Sequence, residues 1–162
     1  AFHFLMGDAQ EEQGRYAEAS EELAGLLAQR HGEPKIIALL ARACANQGRL
    51  DEAAGWCKKA ISVDTLNPAY YYLLATILQE QGRIDEAVDS LKKALYLDHD
   101  FVIAYFALAN IMAKKGKLKA SRKYLNNAAD LLSAYKTEQV IPESEGITAG
   151  RLSEIIESMR YR

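Results

Sequence analysis

Leu74, Ala75 and Leu78 fall at three- and four-residue spacings, as do Leu91, Ala94 and Leu95 and, further on, Leu125, Ala128 and Leu132. That period predicts amphipathic helices, each with one apolar stripe to bury and a polar remainder. The interruptions are as regular as the stripes. Gly14, Gly48, Gly82 and Gly116 recur every 34 residues, each where one helix is expected to stop and reverse into the next through left-handed backbone. Their flanks agree: "QGRYAEA", "QGRLDEA" and "QGRIDEA" are followed by a looser copy, "KGKLKAS". Asp51, Glu52, Asp85 and Glu86 open the helices after these turns and Lys58, Lys59, Lys92 and Lys93 stand in later turns, matching the helix dipole at both ends. Pro34 and Pro68 suit first helical positions, where a missing N–H costs little. The chain is therefore predicted to be all-α, built from four helix-turn-helix units.

This period and these residues resemble the tetratricopeptide repeat. The family's first-helix leucine slot holds Met6, Leu40, Leu74 and Leu108, followed by Gly7, Ala41, Ala75 and Ala109. Its two second-helix alanine slots hold Ala19, Ala53, Ala87 and Ser121, then Leu26, Ala60, Ala94 and Ala128. The resemblance implies a right-handed superhelical solenoid with repeats at 1–33, 34–67, 68–101 and 102–135. It also implies a concave groove, lined by first helices, that takes a protein or peptide partner. Groove positions then map to Phe4, Ala38, Tyr72 and Phe106, to Asp8, Arg42, Thr76 and Asn110 one turn on, and to Lys35 and Ile103 near helix starts. Chaperone-binding members of the family grip a C-terminal carboxylate with a basic clamp. Phe4, Asp8 and Leu39 stand where clamp residues are expected, which argues against that use.

Beyond the repeats, residues 136–147 read as a linker and 148–162 as a capping helix. Thr148 suits an N-cap, and Leu152, Ile155, Ile156 and Met159 make one stripe that would cover the open end of the fourth repeat at Leu125, Ala128 and Leu132. "IPESEGITAGRLSEIIESM" is similar to the C-terminal end of bacterial chemotaxis-receptor methyltransferases that carry such repeats. That likeness implies a parent chain with an S-adenosylmethionine-dependent protein-glutamate methyltransferase upstream, and the start at Ala1 reads as a piece of it. The repeats would then dock the enzyme to signalling partners. The alternative is a scaffold or adaptor of another multidomain protein, serving assembly or secretion.

Composition narrows the chemistry. A formal net charge of −2 over 162 residues gives no overall bias toward nucleic acid, and no apolar run approaches the ~20 residues of a membrane span. Membrane insertion is not expected. Cys44 and Cys57, 13 residues apart, form neither a disulfide framework nor a metal pair, and a reducing cytoplasm fits them. His3, His31 and His99 are scattered. No catalytic set, cofactor loop or metal motif is assembled, so the segment reads as a non-enzymatic interaction module without a cofactor.

Overall fold

The computed structural model describes residues 9–30 and 32–161. Eight helices follow one another there: α1 (Ala9–Gln29), α2 (Pro34–Asn46), α3 (Leu50–Val63), α4 (Pro68–Glu80), α5 (Ile84–Leu97), α6 (Val102–Lys114), α7 (Leu118–Leu132) and α8 (Ala149–Arg160). They form two compact units, Ala1–Ser90 and Leu91–Arg162, with the division falling inside α5.

Three of the four periodic glycines make one and the same turn. Gly48, Gly82 and Gly116 have φ of 79°, 77° and 76°. At each, the glycine N–H donates to the carbonyl three residues back, Ala45, Gln79 and Ala113, all at 3.0 Å. The next N–H donates five residues back: Arg49 to Cys44, Arg83 to Leu78 and Lys117 to Met112, at 3.0, 2.8 and 2.9 Å. This is the paired closure that satisfies the last carbonyls of a helix while the chain reverses. Arg49 and Arg83 then pair with Glu52 and Glu86 in the first turn of the following helix.

Gly14 behaves differently, and the turn expected there does not form. Helix α1 runs unbroken from Ala9 to Gln29, with Gly14 inside it. The flanks are rich in alanine, glutamate, glutamine and leucine, all strong helix formers. One interior glycine costs about 1 kcal/mol against alanine, too little to break such a run without a packed hairpin to reward the break. Phe4, Met6, Gly7 and Asp8 lie outside the described residues.

In the first unit α1 packs on α2, α2 on α3, and α3 on α4, and α2 also meets α4. The core comprises Ile37, Leu40, Ala41, Cys44, Ala53, Cys57, Ala60, Leu73 and Ile77, all buried. Alanine at the crossings allows backbones to approach closely enough for polar cross-links. Cys57 Sγ donates to the Tyr70 carbonyl at 3.3 Å and Ser90 Oγ to the Tyr71 carbonyl at 2.7 Å. Asn67 caps α4, its side chain accepting from the Ala69 N–H, with Pro68 following at the first helical position.

In the second unit α6 packs on α7 and α7 on α8. Ser121, at an alanine position of the repeat, is buried and donates to the Ala109 carbonyl at 2.8 Å. The segment before α8 is tightly hydrogen-bonded. Val140 and Thr148 form an antiparallel bridge, Ile141 is 1% exposed, and its N–H donates to Ile147 O at 2.9 Å. The first donors of α8 are all satisfied: Ala149 N to Gln139 O at 2.8 Å, Gly150 N to Thr137 O at 2.9 Å, and Arg151 N to Thr148 Oγ1 at 3.2 Å. Leu152 and Ile156 are buried, whereas Ile155 and Met159 are only partly so.

Candidate functional site

Each first helix after the N-terminal one keeps a stripe of open or partly open side chains beside its buried face. On α2 the stripe is Lys35, Ala38, Leu39, Arg42 and Asn46; on α4 it includes Ala69, Tyr72 and Gln79; on α6 it includes Phe106, Asn110 and Ala113. Spacings of three, four and seven residues put each set on one helical face. Helices α2 and α4 touch, and both of their stripes belong to the first unit. The α6 stripe belongs to the second unit.

The residues selected from sequence divide by exposure. Lys35 is exposed, and Arg42, Tyr72, Phe106 and Asn110 are partly so. Thr76 and Ile103 are 8% and 5% exposed. Thr76 Oγ1 donates within its own helix, 2.7 Å from Leu73 O and 3.2 Å from Tyr72 O. It therefore contributes to the floor beneath Tyr72 rather than offering a free hydroxyl, and Ile103 is core. Leu39 was considered in sequence only as a missing clamp residue. It is 51% exposed on α2, against 5% for Leu73 at the same position of the next repeat. The signal that could have singled it out is its place on the polar stripe with Lys35 and Arg42.

Burial pushes the Cys57 thiol up to about 12, with the positive charges of Arg42 and Lys58 opposing only part of that effect. Cys44 is also raised by burial, against the lowering influence of Arg49. Both are buried free thiols, held in the unreactive form. Tyr105 is raised by burial and then by Asp100 and Asp98, and its ring lies 6.5 Å from that of Tyr124 across the α6–α7 contact. Among the described residues no three His, Cys, Asp or Glu side chains are grouped to hold a metal ion. No described helix is long and apolar enough to cross a membrane.

Comparison with known proteins places this geometry. Residues 10–77 match the family described as tetratricopeptide repeat, and residues 76–116 a second family described as TPR repeat. No curated protein sequence matches significantly. Among solved structures, the type III secretion translocator chaperone SycD of Yersinia enterocolitica is 22% identical with a TM-score of 0.66, covering 78% of this chain and 87% of that one. SycD in complex with a peptide of the translocator YopD gives 20%, 0.65, 78% and 88%. PcrH in complex with the chaperone-binding region of PopB gives 18%, 0.64, 78% and 93%. MamA is 18% identical with a TM-score of 0.67, covering 98% of this chain and 92% of that one. At these identities the likeness is one of fold.

Proposed function

The chain carries tetratricopeptide repeats, a protein-interaction fold, and from that premise we propose that it is an adaptor that holds an extended segment of a partner protein on its first-helix faces. The observation that carries this reading is the α2–α4 surface. There an exposed leucine, a lysine and an arginine on α2 and a tyrosine on α4 stand on the open stripes of two touching helices. Aromatic and apolar anchors bordered by charge are what a docking face for a peptide requires. Tyr72 and Leu39 would seat apolar side chains, and Lys35 and Arg42 acidic groups or carbonyls.

The structural relatives favour an assembly or secretion role over docking of a chemotaxis methyltransferase. SycD is a type III secretion chaperone seen with a peptide of the translocator YopD, and PcrH is seen with the chaperone-binding region of PopB, whereas the methyltransferase likeness of residues 141–159 gains no support from them. In the proposed role the protein works by sequestering a segment of its partner. Affinity comes from burying a few anchors, and specificity from the charges around them.

Selection of a random peptide library against the whole chain would test the proposal. Peptides with spaced apolar residues are expected, and their binding should weaken by ~1 kcal/mol or more per anchor in Tyr72→Ala and Phe106→Ala, with helical content unchanged. Equal binding by the double variant would refute the assignment.

A further inference from the structure

Helix α7 opens against the rule its sisters follow. Residues 114–123, "KKGKLKASRK", carry Lys114, Lys115, Lys117, Lys119, Arg122 and Lys123 and no acid, and all six are exposed. The equivalent stretch around Gly48 carries Arg49 against Asp51 and Glu52. That around Gly82 carries Arg83 against Glu80, Asp85, Glu86 and Asp89. Acids in a first turn are favoured by the helix dipole and lysines there are not. No acidic residue stands in the first turn of α7, and Lys117 occupies its N-cap without a side-chain hydrogen bond. Lys114, Lys117, Lys119, Arg122 and Lys123 make no ion pair among the described residues. Lys117, Lys119, Arg122 and Lys123, at the positive end of α7 and unanswered by their surroundings, mark a surface kept for a partner.

The apolar pattern points to the same place. Leu118 is 63% exposed at the centre of this stretch, while Leu50 and Ile84, its counterparts, are partly buried. Helix α8 leaves this end of α7 open, because the cleft between them is lined from α7 and its C-cap by Ala129, Asp130, Leu132 and Ser133. The missing cover must therefore be acidic with an apolar element. Helix α1 fits that description. It carries Glu11, Glu12, Glu18, Glu21 and Glu22 against Arg15 alone, with Glu18, Glu21 and Glu22 exposed and Leu26 41% exposed.

We propose that the basic opening of α7 binds the acidic α1 of a second copy of this chain, so that copies associate head to tail. The two surfaces differ, so the contact is heterologous and each bound pair leaves one surface of each kind unused. Association is then open-ended, set by concentration, and weakened by salt that screens exposed charges. It uses none of the first-helix anchors of the proposed peptide face.

Sedimentation velocity on the whole chain, at about 20 mM and about 500 mM salt, reads this directly. Concentration-dependent growth is expected at low salt and its loss at high salt. Lys117→Glu/Lys119→Glu/Lys123→Glu should weaken association roughly tenfold or more, as should Glu18→Lys/Glu21→Lys/Glu22→Lys. An equimolar mixture of the two variants should recover salt-sensitive association, because the unchanged α1 of one meets the unchanged α7 of the other and the two reversed surfaces complement each other. Circular dichroism verifies that both variants fold. A wild type that stays monomeric at low salt and high concentration would overturn the proposal. So would a mixture that fails to associate although both variants are folded. Binding to vesicles rich in anionic lipid by a monomeric wild type would assign the surface to a membrane instead. Retained peptide binding in both variants keeps this test separate from that of the peptide face.

Discussion

At the N-terminal end of the described chain, α1 carries Gly14 through an unbroken helix; at the C-terminal end, the residues after α7 turn back and lay α8 against it. The C-terminal end is covered by a helix whose stripe delivers Leu152 and Ile156 to full burial and whose first N–H groups are taken up by Thr137, Gln139 and Thr148. Gly14 has the sequence of a turn and nothing else that a turn needs. A glycine permits reversal, and packing of the two helices that follow from it is what makes reversal favourable.

The comparison can be broken first at the C-terminal end. Leu152→Ala should cost ~2–5 kcal/mol in urea denaturation, the range for a buried leucine, and truncation after Lys136 should expose apolar surface to the dye ANS. An unchanged midpoint in both would mean that α8 is ornamental. Gly150→Ala probes the approach of α8 to its loop. A Cβ there would meet Thr137 Cγ2 and lie 3.1 Å from Thr137 O, so a loss of ~1–3 kcal/mol is expected, with part of it returned when Thr137 is replaced by glycine.

Gly116 and Gly14 form the sharpest pair, because an added Cβ meets nothing within 4 Å at either. Gly116→Ala should lose ~1–2 kcal/mol for its left-handed backbone. Gly14→Ala should gain up to ~1 kcal/mol as a helix-interior replacement. Equal losses at both positions would show that Gly14 makes a turn in solution.

The last effect appears only at alkaline pH and is absent near neutrality. The Cys57 thiol is raised from 9.0 to about 12 in the folded chain. Above the unfolded value the unfolded state loses its proton first, so stability falls as pH rises from about 9 toward 12, by at most ~1.4 kcal/mol per pH unit. Cys57→Ala should flatten that part of the stability–pH profile relative to wild type. Identical profiles would mean that the thiol is not buried.

Much of the fold was legible because it rests on local rules. Gly48, Gly82 and Gly116 announce left-handed turns, Pro68 opens a helix, and Thr148 accepts the hydrogen bond its position suggests. The Gly14 turn was misread because the motif reports what backbone is permitted, not whether helices pack on both sides of it. Residues 136–147 read as a linker for a similar reason. The buried Ile141 and the Val140–Thr148 bridge depend on contacts across the loop that no periodicity records. The candidate site was less legible than the scaffold. Tyr72 and Thr76 are one helical turn apart and both fall on a family groove position, yet one is partly open and the other is spent on its own helix. Leu39 and Leu73 are the same residue at the same repeat position with opposite exposure, a difference set by neighbours rather than by the repeat.

The claim that first-helix faces do the binding is most directly tested by amide chemical-shift mapping with a peptide selected from the random library. Perturbations are predicted on α2, α4 and α6, centred on Leu39, Arg42, Tyr72, Phe106 and Asn110, with the exposed faces of α3 and α7 unmoved. Perturbations concentrated on α3 and α7 instead, with those five residues silent, would contradict the account.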